Sequence, residues 1–289
     1  MRQTTKDRLI GWALLAVAFS AICGLALIAG FIIKEGLPIF AKVGLGNFIF
    51  SGDWDPTNGH FGIYPMIVGS LAVTAGAMLI GGVLALGCAI VLTQFCPPRL
   101  VGFLKFSIEL LAGIPSVVYG FIGVVVLVPL VAQYLGGPGL SVLTASVVLG
   151  IMILPTVTSI SIDALRAVPR PYWEGSIALG ATQWQTTHMV MLKAARSGIV
   201  SALILGMGRA IGETMAVIMV AGNTLVPPHS ILDPVRTLTS NIALEMGYSQ
   251  GDHRKALFAT GVVLFVVIMV LNTLALTASR RRGGRAGRP

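Results

Sequence analysis

Residues 64–95 read YPMIVGSLAVTAGAMLIGGVLALGCAIVLTQF, a stretch without one charged side chain. A transmembrane helix needs about 20 apolar residues to cross roughly 30 Å of hydrocarbon, so this stretch is long enough to span a membrane. It exceeds a single crossing, as does the stretch 103–133, and each is expected to include a tilted or extramembrane turn. Further apolar stretches cover residues 10–33, 140–165, 197–222 and 256–278. The sequence therefore predicts an all-α polytopic membrane protein with six transmembrane helices.

The composition of the whole chain supports the same class. Of the 289 residues, 55% are hydrophobic and only 11% are charged, and the mean hydropathy is +0.87. Ordinary soluble domains carry about 25% charged residues, so a water-exposed surface of normal polarity cannot be built. A disordered chain, a nucleic-acid-binding domain and a disulfide scaffold are excluded. The three cysteines form no C-x-x-C pair, so neither a metal site nor a redox role is predicted.

The basic residues indicate how the chain is oriented. If both termini are cytoplasmic, the five basic residues on the outer side are Lys34, Lys42, Arg236, Arg254 and Lys255. The inner side then holds fourteen, which are Arg2, Lys6, Arg8, Arg99, Lys105, Arg166, Arg170, Lys193, Arg196, Arg280, Arg281, Arg282, Arg285 and Arg288. This positive-inside bias predicts a multi-pass protein of the cell membrane with cytoplasmic termini. The net charge of +9 is thus interpreted as an orientation signal and a lipid-headgroup patch, with no nucleic-acid partner.

Three regions follow from this topology. Residues 1–63 comprise the N-terminal tail, the first transmembrane helix and an outer loop, 34–63. Residues 64–279 form a core of five transmembrane helices, which contains a long inner loop, 166–196, and an outer loop, 223–255. Residues 280–289 are a basic cytoplasmic tail. Long loops on a helical scaffold are where binding functions concentrate, although each outer loop is equally well an ordinary connection.

The inner loop 166–196 contains the signals of two short helices joined by a tight turn. Pro171 suits the first position of a helix, and Gly180 suits the left-handed residue that ends it. Thr182 and Gln185 have the spacing of a capping box for the second helix. The segment carries small residues that permit close approach by another protein, which are Gly175, Ser176, Ala178 and Ala181. An amphipathic helix lying on lipid is the alternative at this point.

This loop resembles that of the permease subunits of binding-protein-dependent ABC importers. Their pattern is E-A-A-x3-G-x9-I-x-L-P, and here Glu174, Gly180 and Leu192 fall in register with its Glu, Gly and Leu. Val190 stands for Ile, Gly175-Ser176 replaces Ala-Ala, and Lys193 replaces Pro. The resemblance implies the type I ABC importer permease fold. It also implies that Glu174, Gly175, Ser176, Gly180 and Leu192 couple the chain to an ATPase.

Other segments narrow the resemblance to the phosphate-specific importer. Residues 109–120 (ELLAGIPSVVYG) and 206–217 (GMGRAIGETMAV) are similar to its permeases, and residues 54–71, with their Trp54-Asp55-Pro56, resemble the PstC type. The resemblance implies a PstA-type permease as partner, two copies of a PstB-type ATPase and a periplasmic or lipid-anchored phosphate-binding protein of the PstS type. ATP would be bound by the ATPase, so no cofactor is expected in this chain.

Arg209 and Glu213 are charged residues inside the fifth apolar stretch. A charged side chain at mid-bilayer costs about 2.5–3.5 kcal/mol on insertion scales, so its presence needs a reason. The spacing i, i+4 predicts that the two share one helical face and pair. One interpretation is a structural ion pair, and the other is an anion site on a translocation path, because arginine matches phosphate oxygens bidentately. The family resemblance favours the second.

The predicted function is the transmembrane permease subunit of an ATP-driven phosphate importer, forming half of the pathway. Without a Gly-Lys dipeptide the chain has no Walker A loop, and it is not expected to be an enzyme. The alternatives are a permease for another oxyanion or small nutrient and an ion-gradient-driven secondary anion transporter. The helical loop argues against the secondary transporter, since such a carrier needs no docking helix for an ATPase.

Overall fold

The structure of the protein, a computed structural model, describes the backbone of residues 5–283 and the side chains of residues 7–277. The basic tail predicted at 280–289 therefore lies outside the described side chains. One small hairpin, β1 (Trp54–Asp55) paired antiparallel with β2 (His60–Phe61), interrupts a helical chain. The helices are α1 (Thr5–Val43), α2 (Leu45–Phe50), α3 (Tyr64–Phe95), α4 (Pro98–Ala112), α5 (Ser116–Tyr134), α6 (Val142–Arg166), α7 (Arg170–Ala178), α8 (Gln183–Ala194), α9 (Arg196–Gly212), α10 (Met215–Val220), α11 (Leu238–Glu245) and α12 (Gly251–Gly283).

The helices confirm the predicted class of polytopic α-helical membrane protein. Within the described part of the chain, α1, α3, α5, α6 and α12 are long and apolar enough to cross a membrane. The pair α8 and α9 bends by 71° and supplies a sixth span if it is taken as one. The first helix is longer than the predicted stretch 10–33, because it continues to Val43 and includes Pro38. The first ten residues of the predicted loop 34–63 are therefore helical.

The stretch 103–133 is divided into α4 and α5 by a break at residues 113–115. Proline has no N–H, so Pro115 cannot donate the helical hydrogen bond to the carbonyl of Leu111. The hydroxyl of Tyr119 donates to that carbonyl instead, at 2.7 Å. The proline thus ends one helix and starts another, whereas α6 continues through Pro155 as a single helix.

Helix α6 is the centre of the bundle, and two-thirds of its apolar window is buried. It packs against α3 and α9. The backbones of α3 and α6 approach so closely at Gly81 that an added Cβ would lie 2.2 Å from the carbonyl oxygen of Gly150. A side chain at Gly81 would separate the two helices, which explains the small residues along this contact.

The two ends of α6 define two faces of the bundle. Near its first turn, the amides of Val142 and Leu143 bind the carbonyls of Asp233 and Ile231. We call this end the hairpin face, made of residues 44–63 and 221–251. At the other end, Arg166 leads into the segment 167–195, which we call the helical-loop face. Helix α1 packs beside α12, where the rings of Phe31 and Phe258 meet edge to face at 5.5 Å.

Candidate functional site

The helical-loop face has the local structure that the sequence predicts. Pro171 lies in the first turn of α7, and Gly180 follows that helix with a φ of 82°. The side chain of Thr182 accepts a hydrogen bond from the amide of Gln185, while the Gln185 side chain accepts one from the amide of Thr182, at 2.8 Å. The predicted helix, left-handed turn and capped second helix are confirmed.

Contacts with the bundle fix the position of this loop. Ser176 and Thr186 share a hydroxyl hydrogen bond of 2.9 Å, which joins α7 to α8. Leu192 and Trp173 pack on the buried side chain of Leu165 and its apolar neighbours at the end of α6. Gln183 donates to the carbonyl of Gln94, the penultimate residue of α3. The loop is therefore anchored to α3 and to α6.

The five predicted coupling residues divide into anchored and exposed members. Ser176 and Leu192 are half-buried, whereas Glu174, Gly175 and Gly180 are exposed. Nothing lies within 4 Å of a Cβ added at either glycine. Glu174 borders a cavity of about 510 Å³ that Arg166 and Arg170 also line. The open space beside these glycines is compatible with the approach of another protein.

Apolar side chains around the turn are exposed as well. Leu179 is 90% exposed and Trp184 is 61% exposed, and both flank Gly180. Tyr172 and Ile177 of α7 are also exposed large hydrophobic residues. Several exposed large apolar side chains in one short segment are a feature of interaction sites.

Arg209 lies on α9, and its guanidinium is available to a ligand. Its Nη1 donates to the hydroxyl of Thr156 on α6, at 3.1 Å, and this is one of the five N–H groups of the side chain. The side chain borders a cavity of about 540 Å³ between α6, α9 and α12, lined also by Ser201 and Asn272. Gly206 lets α9 approach α6, because a Cβ there would lie 2.5 Å from Val157.

The predicted ion pair between Arg209 and Glu213 is wrong. The spacing i, i+4 requires a continuous helix, but α9 ends at Gly212 and Glu213 has extended backbone angles, with ψ at 133°. The Oε1 of Glu213 accepts a hydrogen bond from the amide of Ala216, at 3.1 Å, at the start of α10. Among the described residues, no ion pair joins Glu213 to Arg209. The carboxylate stabilises the start of α10, where a helix dipole favours negative charge.

A buried polar cluster on the hairpin face was not predicted from the sequence. The side chain of Glu245 is only 9% exposed, and its Oε1 accepts from Arg236 at 2.7 Å. Its Oε2 accepts from the indole Nε1 of Trp54 at 2.9 Å and lies 2.8 Å from the Nε2 of His253. The cluster joins the hairpin to α11 and α12. Trp54 is 191 residues from Glu245 in the chain, so no local motif could have identified this contact.

The helical bundle defines the class as a polytopic α-helical membrane protein. Residues 81–283 match the model of the family described as "Binding-protein-dependent transport system inner membrane component", and the chain belongs to that family.

The likeness to solved structures supports the type I ABC importer permease fold. A chain of a bacterial alginate ABC transporter superposes with a TM-score of 0.68 at 16% identity, covering 98% of this chain and 99% of that one. A chain of the MetNI methionine ABC transporter has a TM-score of 0.56 at 19% identity, covering 82% and 100%.

Proteins with similar sequences match this chain over most of its length and most of their own. The probable ABC transporter permease protein YqgH of Bacillus subtilis is 43% identical over 96% of this chain and 91% of its own. The phosphate transport system permease protein PstC of Xylella fastidiosa is 35% identical over 82% of this chain and 81% of its own. PstC of Haemophilus influenzae is 34% identical over 83% and 84%. These relatives are transport permeases.

Proposed function

We propose that the chain is the transmembrane permease subunit of an ATP-driven phosphate importer. The observation that carries the proposal is the Arg209 cavity within a bundle similar over most of its length to PstC permeases. A guanidinium that keeps most of its N–H groups for a ligand suits the oxygens of an oxyanion. Binding of an oxyanion would also explain why a charged side chain, which is costly inside a membrane, is present on this helix.

The rest of the assembly follows from the same proposal. A PstA-type permease completes the pathway, two copies of a PstB-type ATPase bind ATP, and a PstS-type protein delivers phosphate. The exposed surface around Gly180 and Leu179 receives the ATPase. Closure of the ATPase dimer would pull on α7 and α8. Because these helices are anchored to α3 and α6, the movement would reach the bundle.

Uptake into proteoliposomes tests the proposal. The complete complex, with phosphate-loaded binding protein on the outside and ATP on the ATPase side, is expected to accumulate labelled phosphate. Sulfate in tenfold excess should leave that uptake unchanged. Uptake that survives removal of ATP but stops with an ionophore would instead identify an ion-gradient-driven secondary transporter. ATP-dependent uptake of sulfate in place of phosphate would identify a permease for another oxyanion.

The orientation of the chain gives a separate prediction. With the helical-loop face in the cytoplasm, a cysteine in place of Ile231, which is 63% exposed, should react in intact cells with a membrane-impermeant maleimide. A cysteine in place of Leu179 should react only after the cells are opened. Both substitutions are made in a variant without Cys23, Cys88 and Cys96. Labelling at 179 and not at 231 in intact cells would reverse the orientation.

A further inference from the structure

Helix α11 connects the polar cluster of the hairpin face to the break at residues 213–214, between α9 and α10. At its C-terminal end, Glu245 is bound by Trp54 and Arg236. At its other end, the hydroxyl of Thr239 donates to the backbone carbonyl of Glu213, at 3.0 Å. An eight-residue helix is about 12 Å long, so α11 bridges two sites that are otherwise separate in the bundle.

The first turn of α11 is held by buried hydrogen bonds. Thr237 caps the helix by accepting from the amide of Ser240, and its hydroxyl also contacts that of Thr239 at 3.0 Å. The amide of Leu238 donates to the hydroxyl of Ser70 on α3, at 2.9 Å. Because buried polar groups are costly to leave unpaired, these bonds hold the first turn of α11 together, so that a tilt of the helix would be carried to Thr239.

The hydrogen bond to Glu213 reaches the part of the chain that carries the Arg209 cavity. Glu213 directly follows Gly212, the last residue of α9, and Arg209 lies in the last turn of that helix. The carbonyl of Glu213 is outside any regular helix, so the Thr239 hydroxyl supplies a partner that α9 and α10 do not. A shift of α11 would therefore change the break and the direction of the last turn of α9.

We propose that Thr239 and Glu245 are positioning residues that couple the hairpin face to the Arg209 cavity. The partner that acts on this coupling is a soluble substrate-binding protein docked on the hairpin face. This inference rests on the proposed function, because it takes the hairpin face as the outer one and Arg209 as part of the pathway. Trp54 is buried and does not touch the partner, so it transmits the position of the hairpin to Glu245.

ATP hydrolysis by the complete complex in proteoliposomes provides the test. It is measured with and without phosphate-loaded binding protein. In Thr239→Val the stimulation by the binding protein should fall by about fivefold, while basal hydrolysis stays unchanged. Thr239→Ser keeps the hydroxyl and should keep the stimulation. Thr273→Val is the matched control, because that hydroxyl bonds to the carbonyl of Met269 in its own helix, at 2.7 Å.

Trp54→Phe tests the other end of α11 independently. It removes the indole N–H that binds Glu245 and keeps a ring against Phe61, so a similar loss of stimulation is expected. Stimulation at the unsubstituted level in Thr239→Val, or an equal loss in Thr239→Ser, would overturn the proposal. If Thr239→Val does not assemble, normal stimulation in Trp54→Phe overturns it. An unsubstituted complex that no phosphate-loaded protein stimulates would instead refute the proposed function.

Discussion

Arg209→Gln is expected to lower phosphate uptake by about 10- to 100-fold while the complex still assembles. The substitution removes the charge and the fork of donors but keeps a polar side chain that can still reach Thr156. A hydrogen bond to a charged group is worth about 1.5–3 kcal/mol, and each 1.4 kcal/mol is a factor of ten. Initial uptake rates and complex yield are measured in parallel. Arg209→Lys should recover only part of the rate, because a point charge replaces the planar fork.

No ion pair among the described residues joins Arg209 to Glu213, so the two substitutions are expected to act independently. If the two charges depended on each other, Arg209→Gln would leave the half-buried Glu213 without its partner, and adding Glu213→Gln would restore function. In the structure Glu213 binds the amide of Ala216, a bond that the oxygen of a glutamine can also accept. Glu213→Gln alone is therefore expected to be mild, and the double variant should remain as inactive as Arg209→Gln.

A matched control is Arg99→Gln, which removes an exposed arginine at the start of α4 and should leave uptake unchanged. Full rescue of uptake in the double variant would contradict a role of Arg209 in an anion path. So would uptake by Arg209→Gln at the rate of the unsubstituted protein.

Local features of the fold were predictable from the sequence. The thickness of a bilayer dictates the length of the apolar stretches. Each stretch must form its backbone hydrogen bonds within a helix, because the hydrocarbon offers no partners. The turn at Gly180 and the capping box of Thr182 and Gln185 depend on neighbouring residues alone, so their geometry follows from short motifs. The same holds for Pro171 in the first turn of α7.

Features that depend on distant parts of the chain were not predictable. Hydrophobicity alone does not reveal a break inside an apolar stretch, and the end of α9 at Gly212 invalidated an argument based on helical spacing. The carbonyl of Glu213 is stabilised by Thr239, which lies on a different helix. Likewise, Glu245 binds Trp54 from the opposite part of the chain. Tertiary contacts of this kind leave no periodic signal.

Gly180→Val is expected to reduce co-purification of the ATPase and phosphate uptake together, each by about tenfold. At a φ of 82° an L-residue pays about 1–2 kcal/mol, and a β-branched residue is the least tolerant of that region. The loss is conformational and not steric, because nothing lies within 4 Å of a Cβ at this position. The turn would relax to another conformation and re-aim α7, together with the exposed residues Glu174 and Leu179.

Two further substitutions separate this backbone effect from a general loss of stability. Gly180→Asn should retain most of the ATPase binding, because asparagine tolerates the left-handed conformation that ends helices. Gly102→Val makes the same chemical change at an exposed glycine of α4 with no positive φ, and should leave both measurements unchanged. Normal ATPase binding and uptake in Gly180→Val would refute the assignment of the loop to ATPase coupling. An equal loss in Gly180→Asn would show that any side chain at this position interferes. The backbone of a partner would then have to approach the glycine itself.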